Sequence, residues 1–158
     1  MWSSPPDARV FTIEEANALI PQLSELVGAQ LDLAAEIQSR AVDLCDRLDL
    51  IDKLDPDRES EVLDITVRPT DEADVKELKH ELSTMITRYR DGWLEVQGLG
   101  AVIKDTNAGL LDFYGRIDDR LVWLCWKYGE DSIDFYHELD SGFVERKSLA
   151  EVRKRMLN

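Results

Sequence analysis

Cysteine is scarce in this chain, and so is positive charge. Two cysteines, Cys45 and Cys125, among 158 residues are too few for the disulfide framework of a small secreted domain, and no CxxC pair supplies a zinc-ligand spacing. Lysine and arginine number 19 against 33 aspartates and glutamates, a net charge of −14. Such a surface opposes nucleic-acid binding, which needs cations to displace counterions from phosphates, and it opposes docking on anionic membranes. No apolar run approaches the roughly 20 residues of a membrane span. Met1 to Asp7 has neither the basic segment nor the apolar core of a signal peptide. These absences point to a cytoplasmic protein with reduced thiols and with neither membrane nor nucleic acid as partner.

What is present suffices for a core. The hydrophobic fraction is 44%, near the globular average, and the length fits one domain over 1–158. Residues 1–10 read as a flexible lead-in. Thr12 followed three residues later by Glu15 is a capping box, in which hydroxyl and carboxylate each satisfy a free amide at a helix start. A helix follows from about Ile13, kinked near Pro21, which lacks a backbone donor. Ala16, Ile20, Leu23, Val27, Gln30, Ala34, Ile37, Ala41, Leu44, Leu48 and Ile51 recur in steps of four and three, a coiled-coil-like seam. A charged linker spans 55–69. Thr70 or Asp71 then caps a second helix, with the seam Val75, Leu78, Leu82, Met85, Tyr89, Gly92 and Val96 and an end at Gly98 and Gly100. The two helices, over 11–98, make a long antiparallel hairpin. Each buries one stripe, which calls for a third layer or a second copy of the chain, a homodimer.

The region 101–140 changes character. Ala101–Lys104 reads as a short strand, followed by strands at Leu110–Ile117, Arg120–Lys127 and Ser132–Leu139, rich in aromatic and β-branched residues. Asp118-Asp119 serves as a two-residue hairpin turn and Tyr128 to Asp131 as a second turn. Ser148 and Glu151 form another capping box, opening a basic helix over 148–157. The segment 146–158 is net positive, which suggests that it docks on the acidic helices of its own chain or of a partner subunit.

With both turns at those lengths, Leu111, Phe113, Val122, Leu124, Trp126, Ile133, Phe135 and His137 share a face, expected to pack on the helices. The opposite face carries Asp112 beside Cys125 and Asp134, then Tyr114 beside Trp123 and Tyr136, then Arg116 beside Leu121 and Glu138. An aromatic band with carboxylates suits a binding surface, and equally suits a face covered by a further strand, a loop or a symmetry mate. Cys125 with acidic neighbours is a poor nucleophile. His137-Glu138-Leu139-Asp140 is not HExxH, and on a strand His137 and Glu138 point apart. A metal site from His137 with Glu130 or Asp140 is the alternative to no metal at all. Asp55 to Glu61 lacks the glycine and the terminal acid of a calcium loop and reads as a solvated acidic flank.

Several motifs in order carry a resemblance: Phe11-Thr12-Ile13-Glu14-Glu15-Ala16-Asn17-Ala18-Leu19-Ile20-Pro21, Gly109-Leu110-Leu111-Asp112-Phe113, Leu124-Cys125-Trp126 with Gly129-Glu130, and His137-Glu138 with Gly142 and Arg146. In these the chain resembles the bacterial domain of unknown function 2203 family. The resemblance implies no activity and carries over no catalytic role, but it draws attention to Asp112, Cys125, Trp126, Glu130, His137 and Arg146.

The expected fold is therefore α+β: a long antiparallel helical hairpin packed on a small antiparallel β-meander, plus a short C-terminal helix. With no catalytic constellation, the expected function is a protein-interaction or scaffold module acting through the hairpin and the aromatic face, without cofactor and leaning away from an enzyme. The alternative is a small enzyme or metal-binding protein, with a divalent ion near Asp112, Glu130, His137 and Arg146.

Overall fold

The computed structural model describes residues 8–52 and 63–157. Most of the 55–69 linker and the Asp55 to Glu61 flank lie outside the described residues, as do Met1 to Asp7. The chain forms two compact units, one from residues 1–31 with 93–158 and the other from 32–92.

The first unit holds the sheet. It begins with strand β1 (Val10–Phe11) and helix α1 (Ile13–Ala18). The capping box is present: Thr12 Oγ1 accepts from the Glu15 N–H at 3.0 Å, and Glu15 Oε1 accepts from the Thr12 N–H at 2.9 Å. Helix α2 (Ile20–Asp52) follows after a one-residue interruption at Leu19, next to Pro21, where a kink was expected. Helix α3 (Ala73–Gly98) ends in this unit. Gly100, at φ +103° and with the Phe11 ring 2.5 Å from where a Cβ would stand, turns the chain out of α3 in a conformation closed to other residues. Strands β2 (Val102–Asp105), β3 (Leu110–Ile117), β4 (Arg120–Lys127) and β5 (Phe135–His137) follow, then a 3₁₀ turn at Phe143–Glu145, strand β6 (Lys147–Ser148) and helix α4 (Ala150–Leu157).

The limits of β3 and β4 match the sequence reading, and so does their register, with Asp112 opposite Cys125, Tyr114 opposite Trp123 and Arg116 opposite Leu121. Asp118 and Asp119 both take positive φ, 51° and 64°, as the expected two-residue turn requires. The expected antiparallel meander is present in β2 to β6, and a parallel strand is added to it. The sheet has six strands and is mixed. Val10 and Phe11, assigned in part to a lead-in, pair parallel to β3. Phe11 is buried and packs edge-on against Phe113, ring centroids 5.2 Å apart, and this contact holds so short a strand in place.

A second correction concerns β5. A strand over 132–139 would set Cys125 against Asp134, but Cys125 pairs with Phe135 and Trp123 with His137. The cause is the loop before it. Lys127 N–H donates to Glu130 Oε1 at 2.7 Å and Trp126 Nε1–H to the Glu130 carbonyl at 2.9 Å, folding Glu130 back onto β4. The Ile133 N–H donates to Asn17 Oδ1 of α1 at 2.7 Å, so residues 132–134 leave the ladder. The strand starts at Phe135 instead of Ser132 and in a register shifted by one residue, and a one-residue slip exchanges the faces. Phe135 and His137 join the face of Asp112, Tyr114, Trp123 and Cys125, while Tyr136 lies opposite Leu124 on the other.

Helix α4 starts at Ala150, two residues after Ser148, whose Oγ accepts from the Ala150 N–H rather than closing a box with Glu151. Its cations meet acids of this same unit: Arg153 pairs with Asp134 and donates to the Ile133 carbonyl, and Arg155 pairs with Asp118. Those partners lie in the sheet unit and not on the acidic helices expected for the tail.

In the second unit α2 and α3 run antiparallel, as the ion pairs Arg47–Asp74 and Arg40–Glu81 require. Leu44, Val75 and Leu82 form its buried core, with Ile37, Ala41, Leu48, Leu63, Ile65, Leu78 and Met85 packed against them, so both predicted seams face inward here. Helix α3 begins at Ala73, later than the caps proposed at Thr70 or Asp71. Asp71 Oδ2 instead accepts from the Arg68 N–H and from Lys79, a buried lysine that also donates to the Thr66 carbonyl.

Candidate functional site

The slipped register of β5 creates the most unusual chemistry in the described chain. Asp112 (β3), Cys125 (β4) and His137 (β5) come together on one sheet face, each 3% exposed or less. One ligand-type atom from each lies within 4.8 Å of the others. His137 Nε2 is 2.8 Å from Asp112 Oδ2, and His137 Nδ1 is 3.0 Å from the Glu138 carbonyl.

The tautomer follows from the partners. A carbonyl only accepts, so Nδ1 carries a proton and donates to Glu138. The contact between Nε2 and Oδ2 then needs one proton of its own. Burial raises the Asp112 carboxyl above its ordinary range, against the opposing pull of His137, which favours placing that proton on Asp112 Oδ2, donating to Nε2. Asp112 Oδ1 is buried with no hydrogen-bond partner among the described residues. Cys125 is a free thiol. Desolvation, reinforced by the neighbouring Asp112, pushes it up to about 12, so it is no nucleophile in this state.

Two cations flank the group. The Arg146 guanidinium is clamped between the rings of Phe135 and Phe143, 4.1 Å from each centroid, and pairs with Glu130 at 3.1 Å. Its charge also bears on the Cys125 thiol, opposing the upward shift. Lys104 sits 4.0 Å over the Trp123 ring. Sequence reading missed Lys104 and Phe143. Val102 pairs with Asp112, but the register shifts between Ile103 and Asp105, so alternation along β2 does not place Lys104.

The other expected site residues are placed as follows. Tyr114 and Trp123 stack at 4.0 Å on the site's face but are buried, and Tyr136 is buried on the opposite face, so the three do not form an exposed aromatic band. Asp134 is exposed and bonds Ser132 and Arg153. Glu130 is committed to Lys127 and Arg146. Asp140 is exposed and is not in the cluster. Of the alternative metal set, His137 alone stands in it, with Asp112 and Cys125 in place of Glu130 and Asp140.

A family model for uncharacterised conserved proteins, domain of unknown function 2203, matches residues 9–149. The chain belongs to that family. The matched span contains all three cluster residues and both flanking cations. No curated protein and no solved structure matches the chain. No helix among the described residues is long and apolar enough to cross a membrane.

Proposed function

We propose that this family member is a metal-binding protein whose ion is held by Asp112, Cys125 and His137. One observation carries the reading: three buried ligand-type side chains converge within 4.8 Å while a carboxylate oxygen among them has no partner among the described residues. The donor set is one oxygen, one nitrogen and one sulfur, which suits zinc or cobalt rather than magnesium or calcium. The His137 Nδ1–H bond to a carbonyl is the outer contact that fixes a metal-ligating imidazole with Nε2 free for the ion. Bond lengths of about 2.0–2.3 Å place tetrahedral donors roughly 3.3–3.8 Å apart, so the widest gap needs to contract by about 1 Å. A dication with one carboxylate, one thiolate and one neutral imidazole is uncharged overall, as a buried site requires. Binding releases two protons, one from the Asp112–His137 contact and one from Cys125.

The test is elemental analysis of untagged protein, then cobalt titration of chelator-stripped protein. About one zinc per chain and thiolate-to-cobalt absorption are expected, both lost in Cys125→Ser and His137→Ala and both kept in Cys45→Ser. Protein that retains no metal and shows no cobalt–thiolate band refutes the reading. Two free thiols fit a reducing compartment such as the cytoplasm.

As a second reading we propose a protein-interaction role through self-association of the helical unit, on which Val42 and Ile86 are exposed by 51% and 41%. Sedimentation should give a dimer that Val42→Glu with Ile86→Glu dissociates; a wild-type monomer at high micromolar concentration removes it.

A further inference from the structure

A buried site needs an entry path. The three proposed ligands are almost wholly shielded from solvent, so an ion reaches them only when a covering segment moves. From the geometry we infer that residues 139–146 form a strap gating ion exchange at this site, and that the Arg146–Glu130 pair is its latch. The inference rests on the metal-binding reading above.

The strap ends over the cluster. Arg146 lies on the ring of Phe135, the cross-strand partner of Cys125. On the other flank Lys104 belongs to β2, which is tied into the ladder of β3 and cannot swing away alone. The strap can. Glu138, which precedes it, is held by Arg120 of β4 at 2.8 and 3.2 Å and by His137, and serves as its fixed end; beyond it the hydrogen bonds are local: Ser141 N–H and Oγ–H to the Glu138 carbonyl, Glu145 N–H to the Gly142 carbonyl, Gly142 N–H to Glu145 Oε2, and Arg146 N–H to the Phe143 carbonyl. Val144 is 90% exposed, so the middle of the strap has little apolar anchorage. Past the pinned Glu138, what fastens it to β4 and β5 is the ion pair of Arg146 with Glu130, the ring clamp around Arg146, and Lys127 Nζ over Phe143 at 5.5 Å. Segments with few buried contacts and local bonds open at low free energy, and the latch sets how often this one does.

The latch can be loosened without dismantling the loop. In Glu130→Gln the amide oxygen still accepts from Lys127 N–H, while the charge facing Arg146 is gone. In Arg146→Met a side chain of similar length still fills the space between the two rings. Wild type and both variants are loaded with cobalt, and the decay of the thiolate–cobalt band is followed by stopped flow after mixing with excess EDTA. Both variants are expected to release cobalt at least about tenfold faster than wild type, the effect of losing one charge-assisted contact on a barrier. Variants that exchange at the wild-type rate overturn the gate and leave the metal site standing. A wild type that develops no cobalt band overturns the metal site and the gate with it.

Discussion

Replacing Asp112 with asparagine tests the proton placed between Asp112 and His137. With the shared proton on Asp112, the carboxyl donates to Nε2 in the metal-free protein; asparagine would donate its amide N–H to the same atom and nearly fill the same space. The substitution should therefore change stability by less than about 1 kcal/mol near pH 4, whereas Asp112→Ala strands a buried imidazole nitrogen and should cost about 1–3 kcal/mol. The pH dependence separates the two protonation states. Burial raises the carboxyl above its unfolded value of about 3.9, so the folded chain binds more protons than the unfolded one. Its contribution is full below about pH 3.9 and is lost as pH rises through the raised folded value, at up to about 1.4 kcal/mol per pH unit for one proton. Other carboxyls titrate alike in both proteins, so the stability of Asp112→Asn minus that of wild type cancels them. That difference should grow as pH rises above about 3.9 and level off once the raised folded value has been passed. Urea unfolding in EDTA, followed by tryptophan fluorescence, measures it, because Trp93, Trp123 and Trp126 are all buried in the sheet unit. A difference that stays flat across this range, or one that favours wild type as pH rises, refutes the shared-proton assignment.

Three other perturbations probe the rest of the molecule. Leu82→Ala empties a fully buried position in the thin core of the helical unit and should cost about 2–5 kcal/mol, read as loss of helical circular dichroism at lower urea. Lys79→Met removes the partner that lowers Asp71. In wild type the stability from that carboxylate is present above its unfolded pKa and lost as pH falls through its lowered folded value, so the variant should lose less stability on acidification; an unchanged acid limb counts against the pair. Asp119→Gly places glycine at a residue held at φ 64° and should raise stability by about 0.5 kcal/mol, seen as a melting temperature a few degrees higher.

The elements legible in the sequence are those whose signals are local. The capping box at Thr12, the seams through Leu44 and Leu82, the limits of β3 and β4 and their register about Asp118-Asp119 all follow from residues a few positions apart. The candidate site was half legible. Asp112 beside Cys125 follows from that same turn, but His137 was assigned to the opposite face. Its true place depends on where the Ile133 N–H finds an acceptor, and the acceptor is Asn17, 116 residues earlier in the chain. No local pattern encodes such a bond. An unpaired backbone donor at a strand entry is nonetheless costly when buried, and Ile133 is fully buried. The chain resolves this by starting the strand at Phe135 in a register shifted by one residue, and the shift carries an imidazole onto the face of a carboxyl and a thiol. Asn17→Ala tests the connection: without its side-chain oxygen the incentive to hold residues 132–134 off the ladder is lost. If Ser132 then joins β5, His137 returns to the opposite face and cobalt binding disappears in a variant that changes none of the three ligands.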